Sequence, residues 1–199
     1  MPFCIGRYTV ICARRTGGAK CRVISADQQG GVQGFPGDAT LSPASDWTNY
    51  MRGVVAQYLS DLPDEQAGFD AAVMSTVPLG GGLSSSASLE VATATLLEAM
   101  YDLRVDPTVK ALRCQRCEHV FCGTPCGIMD QFISACGKTG HALLIDCRPP
   151  FGTEQVEAVQ HPADMIKCSL SQPFIALARE NGRFHWMMQA SPFWSQTPT

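Results

Sequence analysis

Residues 77–88 read VPLGGGLSSSAS, and the reading of this stretch decides the fold. It lies between a strand candidate of mostly buried type, residues 69–77, and a helical stretch over residues 87–101. Leu89, Ala92, Leu96, Leu97 and Met100 fall on one face of that helix. A buried strand that feeds a Gly-rich turn and opens a helix is a physical solution to phosphate binding. Gly80, Gly81 and Gly82 let the backbone take positive φ and approach a ligand closely. The helix start adds N–H groups without intrahelical partners and the positive end of the dipole. Ser84, Ser85, Ser86 and Ser88 supply hydroxyls, one of which suits Mg2+. No Gly-Lys-Ser/Thr follows, so this is not a Walker A loop. The plainer reading, a Gly/Ser linker before a capped helix, fits less well between a buried strand and an amphipathic helix.

Working outward, TVIC and CRVIS around the turn Thr16-Gly17-Gly18 suggest a hairpin over residues 7–24. Residues 28–38 are rich in Gly and Gln and read as loop. Asp46 reads as an N-cap for an amphipathic helix carrying Trp47, Tyr50, Met51, Val54, Val55, Tyr58 and Leu59, ending near Leu62-Pro63. Asp106-Pro107 places an N-cap before Pro at the first helical position, opening a helix to about Phe121. A loop at residues 123–127 precedes a short helix at 129–135, and residues 141–147 form the next strand. Few periodic segments stand out after Arg148.

The chain has 199 residues, 45% apolar and 17% charged, an ordinary globular composition with room for a self-supporting core. A net charge of −3 gives no reason to expect nucleic acid or a membrane surface as partner. No apolar run approaches the roughly 20 residues that cross a bilayer. The N-terminal stretch is a poor signal peptide, so a cytoplasmic location is expected. The ten cysteines then read as reduced thiols packed as small hydrophobes. Cys114, Cys117, Cys122 and Cys126, spaced C-x2-C-x4-C-x3-C, resemble a metal site. Three of them lie on one helix and its end, which favours buried thiols over zinc or iron–sulfur ligation.

Two carboxylates sit downstream on separate elements, Glu118 near a helix end and Asp130 after the 123–127 loop. Phosphoryl transfer to a hydroxyl needs a metal against the phosphate charge and a carboxylate beside the attacking oxygen. Spacing by itself does not single these two out.

PLGGGLSSSASLEVAT closely resembles the second motif of the GHMP kinases, in the form found in galactokinases. CEHVFCGTPCGIMDQFIS and GKTGHALLIDCR, at 117–134 and 137–148, are also similar to galactokinase, and DWTNYMRGV resembles the helix before the motif. The resemblance covers roughly residues 8–148 and is specific from 77 onward. It implies an α+β fold, a partial GHMP kinase N-terminal ATP-binding domain at 1–148, with an atypical tail at 149–199 expected to be poorly ordered. It implies ATP and Mg2+ as cofactors and galactose as substrate, phosphorylated at the C1 hydroxyl by a monomer. Gly80, Gly81, Gly82, Leu83, Ser84 and Ser85 would cradle the ATP phosphates, and Ser86 and Glu118 would ligate Mg2+. Asp130 would be the catalytic base, with Gly127 lining the sugar site. Trp47 and Tyr50 would flank the adenine, or be core residues of their helix.

The N-terminal family motif of the kind G-R-V-N-L-I-G-E-H-T-D-Y and the third, Gly-rich motif do not occur in the 199 residues. The alternative expectation is therefore a non-catalytic fragment, or a regulatory module that binds sugar or nucleotide.

Overall fold

The computed structural model describes residues 2–138 and 141–146 in full, together with the backbone of strands at 156–160, 174–180 and 183–188. The elements run β1 (Thr9–Arg15), β2 (Lys20–Ser25), β3 (Gln33–Pro36), α1 (Asn49–Tyr58), β4 (Phe69–Ser75) and α2 (Ser85–Tyr101). They continue with α3 (Pro107–Phe121), α4 (Met129–Cys136), β5 (His141–Ile145), β6 (Val156–Gln160), β7 (Phe174–Glu180) and β8 (Arg183–Met188). Two short 3-10 turns, Leu59–Asp61 and Pro63–Glu65, follow α1.

Six strands form one sheet in the order β3-β2-β4-β1-β7-β8, and β5 pairs with β6. β4 is antiparallel to β1, with Ile11 opposite Val73, and parallel to β2, with Val23 opposite Ala71. The expected β1–β2 hairpin is therefore corrected. The two strands run in opposite directions as a hairpin would, but β4 is inserted between them. The stretch read as loop also changes, because Gln33–Pro36 pairs with β2 at the sheet edge.

Alternation along the strands decides which face of the sheet is covered. Ile11, Ala13, Cys21, Val23, Phe35, Phe69, Ala71 and Val73 are buried in the main core with Met51, Val54, Val55 and Tyr58 of α1. β4 thus alternates rather than being buried throughout, and Met74 is 51% exposed on the other face. There Asp70 accepts hydrogen bonds from Arg14 and Arg22 on the two flanking strands. Their guanidinium groups lower its pKa to about 2.

α2 is the central helix. It is buried on nearly every side, and Glu90, Thr93, Thr95 and Glu98 are among its buried residues. Tyr58 donates to Glu98 Oε1 at 2.6 Å, and the fully buried Lys110 pairs with Glu98 Oε2 at 2.8 Å. This network joins α1, α2 and α3 through satisfied polar groups, the condition for burying charge. α1 starts at Asn49 rather than Asp46. Asp46 Oδ1 still accepts from the Thr48 N–H, so it caps the turn one step upstream. α1 ends at Tyr58, where the 3-10 turns take over, rather than at Leu62. At α3, Asp106 Oδ1 accepts from the N–H groups of Thr108 and Val109, with Pro107 in the first turn, as the sequence indicates.

Candidate active site

The Gly/Ser loop joins the end of β4 to the start of α2, and hydroxyl side chains pin both ends to the sheet. Thr9 Oγ1, on β1, is 2.9 Å from Ser75 Oγ and 2.8 Å from Ser88 Oγ, and Thr9 and Ser88 are both buried. Ser75 closes β4 and Ser88 lies in the first turns of α2, so this chain fixes where the loop leaves and where it returns. Between them the backbone takes positive φ at every second residue: 67° at Gly80, 67° at Gly82 and 60° at Ser84. Left-handed conformation is easy for glycine and costs a serine about 1–2 kcal/mol, the kind of local strain that collects at functional sites. Ser84 is the N-cap of α2, and no side chain caps that end. The first-turn N–H groups are therefore available to a ligand, and loop and helix start together suit an anion.

A cleft lies on each side of the loop. The first, about 230 Å³, brings together Trp47, Tyr50, Gly80, Ser85 and Ser86, with Asp27 and Gln28 at its wall. The second, about 260 Å³, brings Gly82, Leu83 and Ser84 together with Asp130, Arg7 and Ser134. Asp130 stands in the first turn of α4, at the cleft wall. Most of the residues singled out in the sequence thus sit in one of two clefts that share the loop as a partition. Gly81 packs its Cα side on Pro78, where an added Cβ would meet the ring at 3.1 Å. Gly127, in the loop before α4, lines neither cleft.

Glu118 also lines neither cleft. It is buried at the end of α3, where its Oε2 accepts from Gln131 Nε2 at 3.0 Å. The same nitrogen donates to Glu90 Oε2 at 3.1 Å, and Glu90 and Gln131 are both fully buried. Burial, and then the charge of Glu118, push the Glu90 carboxyl well above the ordinary range. The folded protein therefore favours the neutral form of Glu90. Tyr50 links this buried pair to the first cleft. Its pKa is raised first by desolvation and then by Cys122, Glu118 and Glu90.

The cysteine cluster belongs to this neighbourhood. Cys117 Sγ donates to the Tyr50 carbonyl at 3.2 Å, and Cys126 hydrogen-bonds Glu118, its pKa pushed up to about 12 chiefly by burial. Among the described residues no group of three or more His, Cys, Asp or Glu is arranged to hold a metal. The thiols pack around buried polar groups instead.

For a Mg2+ delivered with nucleotide phosphates, the oxygen donors Ser86 and Glu118 are of the right chemistry, since Mg2+ takes one or two protein oxygens plus phosphates and water. The loop and the open end of α2 fit the phosphates themselves. Sequence reading missed Thr9, Ser75, Glu90 and Gln131. Glu90 carried a signal, being the one acidic residue in the otherwise small and apolar run ASLEVATATLL. Thr9 and Ser75 carried none, because only the sheet brings them together.

Residues 49–138 match the family model described as the GHMP kinases N terminal domain. That stretch of the α+β fold thus resembles the N-terminal domain of the GHMP kinases, a family of phosphotransferases. Among solved structures it is similar to galactokinase of Lactococcus lactis complexed with galactose, at 28% identity and a TM-score of 0.70. That match covers 78% of this chain and 40% of the galactokinase. Mevalonate kinase of Methanococcus jannaschii shares the fold at 20% identity and a TM-score of 0.53, covering 62% of this chain and 39% of that one. The chain spans less than half the length of either structure. No helix among the described residues is long and apolar enough to cross a membrane.

Proposed function

We propose that this chain serves galactokinase-type phosphoryl transfer, from ATP to the C1 hydroxyl of galactose, as part of cytoplasmic sugar phosphorylation. The observation that carries the reading is the shared partition. One Gly/Ser loop separates a cleft holding Trp47, Tyr50, Ser85 and Ser86 from a cleft holding Asp130. A nucleotide in the first cleft lays its phosphates on the loop. An acceptor hydroxyl in the second meets them from the Asp130 side. Backbone N–H groups from Gly80 to Ser85 would bear the phosphates, and Ser86 at the cleft wall with the buried Glu118 behind it would hold a Mg2+, whose charge would offset theirs. Asp130 takes or orients the hydroxyl proton, a role worth about 10²–10⁴-fold in rate. The galactose bound in the lactococcal structure supports that sugar as acceptor.

A second reading is a module that binds ligands in both clefts without turning them over. One experiment separates the two. Purified chain is incubated with γ-labelled ATP, Mg2+ and galactose, with mevalonate as control acceptor, beside Asp130→Asn. Label appearing on galactose and lost in Asp130→Asn, with nucleotide binding retained, supports the kinase. Nucleotide binding without label transfer supports the binding module, and label on mevalonate instead of galactose overturns the acceptor assignment.

A further inference from the structure

We infer that Gln131 is a positioning residue, its side-chain amide setting the orientation of the Glu118 carboxylate and tying it to the helix that carries Asp130. The inference rests on the reading of Glu118 as a metal ligand given above.

An amide NH2 has two donor hydrogens. Gln131 Nε2 faces two carboxylates with them, Glu118 Oε2 at 3.0 Å and Glu90 Oε2 at 3.1 Å, and Cys126 Sγ lies at 3.9 Å. The side chain is fully buried, so water cannot replace either bond without opening the packing. Glu118 cannot turn away without leaving a buried donor unpaired. Gln131 is also the residue after Asp130, in the first turn of α4. A shift of that turn moves the candidate base and the amide together, so the geometry of the candidate metal ligand follows that of the candidate base. Groups that orient a ligand in this way are worth about 10–100-fold in metal affinity.

The test measures Mn2+ affinity of the chain–ATP complex by electron paramagnetic resonance, with thermal unfolding recorded for each protein. The proteins are wild type, Gln131→Met, Glu118→Gln and the double variant, plus Gln131→Asn, which restores an amide one methylene short. The expected result is a loss of about 10–100-fold in Gln131→Met, partial recovery in Gln131→Asn, and a double variant no worse than Glu118→Gln. A purely structural role would give losses that add in the double variant, and that outcome overturns the inference. So does Mn2+ affinity within about twofold of wild type in Gln131→Met while Glu118→Gln loses it. If Glu118→Gln is also silent, the ligand assignment of Glu118 falls and the inference with it. If Gln131→Met does not fold, Gln131→Asn decides, wild-type affinity in that variant counting against.

Discussion

Replacing Glu90 by Gln should make the protein more stable at neutral pH and flatten its pH dependence. Glu90 is fully exposed to solvent only in the unfolded chain, where it ionises near its ordinary value of 4.5. In the folded protein burial and the neighbouring Glu118 hold it neutral well above that value. Between the two values the folded state binds one proton more than the unfolded state. The stability slope is then negative, about 1.4 kcal/mol lost per pH unit as pH rises from the unfolded pKa towards the folded one. The wild type should therefore lose stability relative to Glu90→Gln as pH rises from the unfolded value towards the folded one. The glutamine of the variant keeps the volume and an acceptor for Gln131 Nε2 and has no proton to lose. Urea unfolding of both proteins at half-unit pH steps, compared through their difference, isolates this one group. The reasoning is refuted if the two stability curves run parallel, or if Glu90→Gln is less stable than wild type at about pH 7.5.

Two further changes probe how the site is held. Gly53→Ala places a Cβ against Cys117 Sγ and 3.0 Å from the Cβ atoms of Cys117 and Phe121. Overpacking should outweigh the helix-propensity gain of about 1 kcal/mol and leave a net loss of about 1–2 kcal/mol, reduced when Cys117→Ala removes the sulfur, all read by urea denaturation. Thr9→Val breaks the hydroxyl chain to Ser75 and Ser88. It should cost about 1–2 kcal/mol, read by denaturation, and speed hydrogen exchange at the start of α2, read by mass spectrometry.

Local chemistry was legible in the sequence and long-range pairing was not. The cap at Asp106-Pro107 was readable because a side chain and the N–H two residues on settle it. The loop at 80–84 was readable because three glycines and a helix start have few other uses. The β1–β2 relation failed because β4, more than forty residues downstream, intervenes, and no turn signal reports an insertion. The strand at Gln33–Pro36 was hidden because a short edge strand needs no apolar run, only backbone pairing with β2. Trp47 and Tyr50, left open between core and cleft, both line the cleft, and Trp47 also packs against the main core. At the candidate site, Asp130 and Glu118 came from resemblance. That Glu118 is buried with Glu90 and Gln131 behind the cleft could be known only from the packing of three helices.

Whether the Gly/Ser loop is a nucleotide phosphate site decides the rest. Isothermal titration of the 199-residue chain with Mg-ATP, beside Gly82→Val, addresses it directly, with folding of both checked by circular dichroism. A branched side chain at φ 67° cannot keep the loop conformation without strain. The expected result is binding by the wild type that falls at least about tenfold in Gly82→Val, or about 1.4 kcal/mol. Equal affinity in two folded proteins, or no binding by the folded wild type, would contradict it.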